Sequence, residues 1–227
     1  LTNSAPLKEA TMLITYHGHS EFLLETEDGL RMLTDPFDPT VPWPYREAQA
    51  DLVTCSHGHF DHAHLDKVQG KPIVLRETGP HTPMPGVRVT GYPSFHDDQG
   101  GTKRGSNVIF IYEVESLRIA HLGDLGARPE QEVLNALQGL DILLIPVGGT
   151  YTLDAEQAAA LVRDLRPRVT IPMHYRQGEH GFPNIGTAEN FLSHFPEHKP
   201  ARQPLLRVTK GDIGEVPPLV VLEVCQG

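Results

Sequence analysis

The chain has few cysteines and no long apolar run. Cys55 and Cys225 are the only cysteines in 227 residues, so no disulfide framework is expected and a reducing cytoplasm is the default. No run of about 18 apolar residues could form a transmembrane helix, and residues 1–10 lack the basic-then-apolar order of a signal peptide. We therefore expect a cytoplasmic protein without a membrane span.

Basic residues are also scarce. The 19 Lys and Arg stand against 29 Asp and Glu, which gives a formal net charge of −10. Wide affinity for nucleic acid or anionic membrane needs a basic surface, so neither is an expected partner, although a small basic pocket remains compatible with this charge. The expected partner is a small-molecule substrate, and self-association into a homo-oligomer stays open.

The chain shows no fixed-period repeat and no low-complexity tract. Its 20 Pro and 21 Gly cluster at 36–44 and 79–86, which we interpret as loops over a scaffold and not as linkers between domains. The length suffices for one large core. A single domain over residues 1–227 is therefore predicted.

Short apolar runs rich in β-branched residues, bounded by Gly, Pro or Asp, predict strands. Helix starts are predicted at Pro129, at Asp154, where Gln157 completes a capping box, and at Thr187. Many strands with few helices indicate two packed sheets with helices outside. The predicted strands are 12–16, 21–25, 30–34, 52–55, 73–75, 87–90, 108–114, 117–122, 142–145, 169–171, 205–208 and 219–224; the predicted helices include 155–165, 188–194 and a weaker one around 65–68.

The most informative segment places His57, His59, Asp61 and His62 within six consecutive positions. Neutral imidazole and carboxylate are preferred ligands of zinc, manganese and iron. Histidines two apart do not share a helix face, so they converge most readily from a loop, here the exit of the predicted strand 52–55. The segment predicts a metal site, with Asp61 and His62 directed to a second locus one turn later.

Further candidate ligands follow other predicted strands. His96 follows a turn-like segment, and Asp124 and His174 each follow an apolar strand. Residues at successive strand ends meet at one edge of a sheet. His121, three residues before Asp124, competes with His96 as a ligand; we favour His96, and His121 remains the alternative.

Two charged segments near His96 have less specific interpretations. Asp97 and Asp98 are interpreted as turn carboxylates. Lys103 and Arg104 follow Gly100 and Gly101 and are interpreted as a solvated loop, with binding of an anionic substrate group as the alternative.

The motif His-Gly-His-Phe-Asp-His at 57–62 resembles the HxHxDH signature of the metallo-β-lactamase-fold superfamily, and the later His, Asp and His follow in the superfamily's order. Within it, the chain resembles the branch of UPF0173 and ascorbate-6-phosphate-lactonase-like hydrolases. That closer likeness rests on residues 14–20, 33–36, 122–124 and 172–175.

The resemblance implies a four-layer αββα sandwich of two mixed sheets and a binuclear metal site. Asp124 would bridge both metals, and Asp35 would support the histidine loop, because ligand imidazoles need orienting partners. His19 would line the site without being a ligand, and Tyr175 would form part of the pocket wall with residues 148–151. The implied ligands are His57, His59 and His96 for one metal and Asp61, His62 and His174 for the other.

The implied activity is metal-dependent hydrolysis of a small ester or lactone, with or without a phosphate group. Two divalent ions, zinc first and manganese, iron or nickel as alternatives, would share a bridging hydroxide. Asp124 would fix the metal spacing, and Asp61 would orient the hydroxide or accept its proton. Alternatives are a phosphodiesterase or nuclease, an iron-binding redox protein, and a non-catalytic metal-binding protein.

Overall fold

The computed structural model describes residues 10–224, so the predictions on Cys225 and on residues 1–9 lie outside the described residues. Its first large sheet has six strands in the order β15-β1-β2-β3-β5-β7. Parallel and antiparallel pairs both occur in it, since β1 is antiparallel to β2 and β3 is parallel to β5. The strands are β1 (Met12–Gly18), β2 (Glu21–Thr26), β3 (Arg31–Thr34), β5 (Leu52–Thr54), β7 (Ile73–Leu75) and β15 (Leu205–Val208).

The second large sheet also has six strands, in the order β13-β12-β11-β10-β9-β8. β10 is antiparallel to both β9 and β11, and β11, β12 and β13 are mutually parallel. β9, β11 and β13 therefore run in one direction and end at one edge of the sheet. The strands are β8 (Gly79–Met84), β9 (Val87–Phe95), β10 (Ser106–Val114), β11 (Leu117–His121), β12 (Ile142–Pro146) and β13 (Val169–Met173).

The core lies between the two sheets. Along β1, buried and half-buried side chains alternate, as expected of a strand with one face on the core. Every residue of β12 and β13 is buried, which fits central parallel strands covered on both faces. A buried hydrogen bond of 2.5 Å joins Thr54 Oγ1 and Tyr112 OH across the sheets.

The helices are α1 (Gln131–Ala136), α2 (Ala155–Leu165) and α3 (Ala188–Leu192). The capping box of α2 is confirmed, since Asp154 and Gln157 exchange side-chain and backbone hydrogen bonds. α1 begins two residues after the predicted Pro129, and α3 ends two residues before the predicted 194. The weak helix near 65–68 is a short 3₁₀ helix, Leu65–Lys67, and a second one spans Ile213–Glu215. The αββα sandwich is confirmed.

The prediction that residues 79–86 form a loop was wrong, because Gly79–Met84 is the edge strand β8. Its pairing with β9 shifts register between His81 and Met84. Prolines are tolerated in edge strands and at such irregularities, so they did not exclude a strand here.

Two further pairs are short. They are β4 (Ala48–Gln49) with β6 (Val68–Gln69) and β14 (Ala201–Gln203) with β16 (Val220–Leu222). Among residues 10–224, no helix has the length and apolar character needed to cross a membrane.

Candidate metal centre

The candidate ligands all follow strand ends. Residues 56–62 leave β5 of the first sheet, and His96, Asp124 and His174 follow β9, β11 and β13 of the second. Since those three strands end at the same edge, the topology brings side chains more than 100 residues apart in the chain to one place.

We call His57, His59 and His96 the outer trio. Their ligand atoms lie within 4.8 Å of one another, and His57 Nε2 is 3.0 Å from His59 Nδ1. His59 is exposed and His57 half-buried, whereas His96 is 3% exposed. The outer trio therefore opens to solvent on one side.

We call Asp61, His62 and His174 the inner trio. Their ligand atoms also lie within 4.8 Å of one another, and His19 joins this group. His62 and His174 are fully buried and Asp61 nearly so. His19 and His174 have positive φ angles, 57° and 52°, which non-glycine residues adopt at a cost and which concentrate at functional sites.

Asp124 contacts both trios. Its Oδ1 lies 3.2 Å from His62 Nε2 in the inner trio. Its Oδ2 lies 3.2 Å from His96 Nε2 in the outer trio and 3.4 Å from His174 Nε2 in the inner one. A single carboxylate thus stands between the two candidate metal positions.

Two positions in the loop around Asp124, 123 and 126, have room only for glycine. At Gly123, where φ is +55°, an added Cβ would lie 2.4 Å from Asn107 Oδ1. At Gly126 it would lie 2.4 Å from the backbone nitrogen of Asp97. The same Asn107 Oδ1 accepts a hydrogen bond from the Asp124 backbone N–H. Close packing therefore fixes the position of the Asp124 carboxylate.

Asp35 orients two of the imidazoles. It accepts hydrogen bonds from His62 Nδ1 at 2.7 Å and from the Ser56 hydroxyl at 2.6 Å. Because the Ser56 proton is committed to Asp35, the 3.0 Å contact between Ser56 Oγ and His57 Nδ1 requires His57 Nδ1 to donate. Both histidines thereby keep their Nε2 lone pairs for the site.

His96 is oriented in the same way by a different partner. Its Nδ1 donates to the Tyr151 carbonyl oxygen at 3.1 Å, so its Nε2 lone pair faces Asp124. The three fixed tautomers all present the nitrogen that a metal ion needs.

Several buried atoms of the site have no hydrogen-bond partner within residues 10–224. They include His62 Nε2, Asp124 Oδ1 and His174 Nδ1. Unpartnered buried polar atoms are costly in a native structure, and here His62 Nε2 faces a carboxylate oxygen without a hydrogen bond. The donor set of imidazoles and carboxylates fits divalent zinc, manganese, iron or nickel.

Charges within the site shift its pKa values strongly. Burial alone would raise the pKa of Asp124, but His174 and His62 hold it well below its usual range. Burial opposes charge on His62, yet Asp124 and Asp61 raise its pKa well above normal. Burial and the neighbouring His62 lower the pKa of His57 to about 3. The carboxylates therefore favour a positive charge among them, which a metal cation supplies.

Known metal-dependent hydrolases are similar to this chain in sequence. Residues 13–174 match the family model of the beta-lactamase superfamily domain. A UPF0173 metal-dependent hydrolase of Thermococcus onnurineus is 31% identical, with 71% of this chain and 84% of the relative covered. One of Rubrobacter xylanophilus is 31% identical, with 81% and 88% covered. The chain belongs to the UPF0173 family of metal-dependent hydrolases.

A solved structure supports the same assignment. A Thermotoga maritima protein, assigned to the Zn-dependent hydrolases of the metallo-β-lactamase superfamily, is 34% identical and superimposes with a TM-score of 0.77. The match covers 93% of this chain and 98% of that one. The superfamily, inferred from HxHxDH and its partners, and the UPF0173 branch, inferred from residues 14–20, 33–36, 122–124 and 172–175, are thereby confirmed.

For this UPF0173 protein, the structure separates His96 from His121. Nε2 of His121 donates to the Ser20 carbonyl at 2.8 Å, and its Nδ1 accepts from the Gly123 backbone N–H at 3.1 Å. Both nitrogens are therefore committed to the backbone, whereas His96 directs Nε2 into the site. Geometry selects His96 as the candidate ligand.

Asp97 is a turn carboxylate, as expected. Its two oxygens accept backbone N–H groups of the loop that follows, from Gln99, Gly101, Lys103 and Arg104. These bonds lower the pKa of Asp97 to about 2 against the effect of burial. Asp97 therefore shapes the 97–105 loop.

His19 is closer to the site than the sequence indicated. Its Nε2 lies 3.1 Å from Asp61 Oδ2, and its ring centroid lies 4.3 Å from that of His174. The signal available in the sequence was its position directly after β1, a strand end like those of the other candidate ligands.

Tyr175, expected in the pocket wall, is 2% exposed and packs against Tyr16 and Trp43 with centroid distances of 6.0 and 6.2 Å. Its ring therefore belongs to a buried aromatic cluster. Tyr151, from the 148–151 segment, is half-buried and supports His96 through its carbonyl.

Proposed function

We propose that this metal-dependent hydrolase binds two divalent ions, zinc foremost, and hydrolyses a small ester or lactone. The outer trio would hold one ion, the inner trio the other, and Asp124 both. The observation that carries this proposal is the position of Asp124, within 3.4 Å of ligand nitrogens from both trios. Bound divalent ions lower the pKa of water and polarise a carbonyl oxygen, which is the chemistry ester hydrolysis needs.

Asp61 and Asp124 have distinct roles in the proposal. Opposing the effect of burial, His62 and His19 lower the pKa of Asp61, so its carboxylate is ionised near neutral pH and can accept a hydrogen bond from the attacking water. Because Asp61 Oδ2 is ionised, His19 Nε2 donates to it and fixes its orientation. Asp124, held by Asn107 and the tight glycine loop, sets the spacing of the two sites.

Side-chain nucleophiles do not compete with water here. Cys55 is buried, and burial raises the pKa of its thiol to about 12, so no thiolate forms near neutral pH. The Ser56 hydroxyl is 2% exposed and donates to Asp35. Activated water is therefore the expected nucleophile.

The surroundings fit a small, partly apolar substrate. Phe60, between His59 and Asp61, is 55% exposed, and Phe182 lies 6.3 Å from Tyr151 and 5.5 Å from His19 by ring centroids. These aromatic side chains border the site. Together with the net charge of −10, they favour a small ester or lactone over a nucleic acid.

The proposal is tested by metal content and activity together. Asp124→Ala should lower metal content at both positions and reduce kcat/KM by at least about 100-fold, and His59→Ala should lower the content of one ion. Asp98→Ala, which removes an exposed carboxylate beside the site, is the control. Metal is measured by mass spectrometry, and activity with p-nitrophenyl acetate, a lactone and bis-p-nitrophenyl phosphate.

Full activity and full metal content in Asp124→Ala would contradict the site assignment. Cleavage of the phosphodiester alone would replace the esterase proposal with a phosphodiesterase. Native iron accompanied by oxygen consumption would favour a redox protein.

A further inference from the structure

Two arginines share a cavity with the outer trio. The cavity has a volume of about 330 Å³, and Arg76, Arg104, His57 and His59 all line it. The remaining lining residues are Cys55, Ser56, Gly58, Gly105, Ser106 and Val108, so no carboxylate contributes to its wall. We call this cavity the guanidinium pocket.

Arg104 is held in place by the segment that supports the outer trio. Its guanidinium donates to the Thr150 carbonyl at 3.0 Å and lies 5.4 Å from the centroid of the Tyr151 ring. The Tyr151 carbonyl, in turn, accepts the hydrogen bond of His96 Nδ1. The backbone N–H of Arg104 is fixed by Asp97. The Arg104 guanidinium and the His96 imidazole are therefore held by adjacent carbonyl groups, those of Thr150 and Tyr151.

Arg76 lines the same cavity. It follows β7, the neighbour of β5, and its positive charge acts against burial in setting the pKa of the Cys55 thiol. The nearby Glu77 carboxylate accepts the backbone N–H of Arg76 and forms no ion pair with its guanidinium.

Neither guanidinium has a carboxylate within 4.0 Å among residues 10–224. Arg128 and Arg202, by contrast, pair with Asp164 and Glu189. Guanidinium groups bind carboxylate and phosphate through paired N–H donors. Two of them facing one cavity, without internal counterions, leave that cavity electropositive in an otherwise acidic chain.

We propose that the guanidinium pocket binds an anionic substituent of the substrate, a carboxylate or a phosphate, while the scissile group lies at the metal centre. This inference rests on the proposed hydrolase function and deepens it, because it defines the substrate as an ester or lactone that carries a negative charge. His57 and His59 connect the two subsites, since they belong to both the outer trio and the pocket wall.

A matched series of esters tests the pocket on the metal-loaded protein. The esters are p-nitrophenyl butyrate, p-nitrophenyl hemiglutarate and p-nitrophenyl 4-phosphonobutyrate, which are neutral, carboxylate-bearing and phosphonate-bearing. Wild-type kcat/KM should be higher for a charged ester than for the neutral one. Arg76→Gln and Arg104→Gln should each lower that charged-to-neutral ratio by about 10-fold. The better charged ester distinguishes a carboxylate subsite from a phosphate subsite.

Lys103→Gln is the matched control, because it removes a positive charge from the same loop outside the pocket lining. An unchanged ratio in both arginine variants, or an equal fall in Lys103→Gln, overturns the proposal.

A binding measurement separates this proposal from the hydrolase proposal. Calorimetric titration of the metal-loaded full chain with inorganic phosphate should detect binding that weakens about 10-fold in the Arg76→Gln/Arg104→Gln double variant and not in Lys103→Gln. If the esters are not hydrolysed but this binding is seen, the subsite stands and the ester proposal fails. If the esters are hydrolysed but neither phosphate binding nor the charged-to-neutral ratio depends on the arginines, the anion-binding proposal is wrong and the hydrolase proposal stands.

Discussion

The outer and inner trios are made from similar ligands but lie in different surroundings. His59 of the outer trio is exposed and His57 is half-buried, whereas His62 and His174 of the inner trio are 0% and 1% exposed. Water can satisfy the outer imidazoles in the absence of metal. It cannot do the same for the inner ones, where His62 Nε2 and His174 Nδ1 have no hydrogen-bond partner within residues 10–224.

This difference indicates unequal dependence on metal. Burying polar groups without partners is unfavourable, so an ion in the inner trio offsets a cost that the outer trio does not carry. We expect the inner trio to bind metal more tightly and to couple it more strongly to folding. In the proposed two-ion site, Asp124 would link the more loosely held position to the more tightly held one.

The largest expected effect concerns the pH dependence of stability in the metal-free protein. Burial, with His174, lowers the pKa of His19 to about 4, and burial, with His62, lowers that of His57 to about 3. The unfolded chain therefore binds more protons as pH falls below about 6.5, so stability is full above that pH and declines below it. His19 alone should account for about 2 kcal/mol at pH 5.

Urea unfolding between pH 7 and pH 5 measures this decline. His62, whose pKa is raised, is already protonated in the native state, so it increases stability as pH falls through about 6.5 and adds no slope at the acid end. His19→Ala, from the buried region, should flatten the profile more than His57→Ala, because partial exposure screens His57. If the two variants reduced the pH dependence of unfolding free energy equally, the proposed difference between the surroundings of the inner and outer trios would be contradicted.

Asp35→Asn should produce the next largest effect, and it should affect both trios. Asp35 directly orients His62 and, through Ser56, His57. Loss of such a partner commonly weakens metal affinity by about 10- to 100-fold. Competition titration with a chromogenic chelator measures both affinities. Weakening at the inner position alone would show that the Ser56 relay to His57 is dispensable.

The ion of the outer trio should be released about 10-fold faster than the ion of the inner trio, because local exposure gives a chelator access to the outer position. A stopped-flow reaction with excess chelator should show two phases of equal amplitude. His59→Ala should remove the fast phase and retain the slow one. A single phase in the wild-type protein would show that the two ions leave together.

The sequence was sufficient for most of this architecture because the informative patterns are local. The runs that became β10, β11 and β12 are apolar and β-branched, and the capping box at Asp154 is complete within four residues. The histidine loop was recognisable because its ligands are adjacent. Their distant partners Asp124 and His174 each follow a predicted strand and were predictable from that position. His96 was expected after a turn-like segment, but β9 continues through that segment to Phe95.

The remaining features depend on tertiary contacts that local patterns do not specify. His19 reaches Asp61 across 42 positions, and only the fold brings them together. β8 contains Pro80 and Pro83, which suggested a loop. It is nevertheless a strand, because it pairs with β9 at the edge of the sheet, where prolines are tolerated. Tyr175, a neighbour of His174, packs against Tyr16 and Trp43, and this contact depends on the fold and not on its position beside a candidate ligand.

The smallest effect is expected far from both trios, at the start of α2. Asp154 accepts the Gln157 backbone N–H at 2.8 Å and its own N–H is bonded by the Gln157 side chain. Asp154→Ala should therefore cost about 1 kcal/mol of unfolding free energy, measured by urea denaturation, while metal content and release rates stay at wild-type values. A change in the metal release rate of this variant would mean that the rate depends on the global stability of the domain. The difference between the trios would then not result from their local burial.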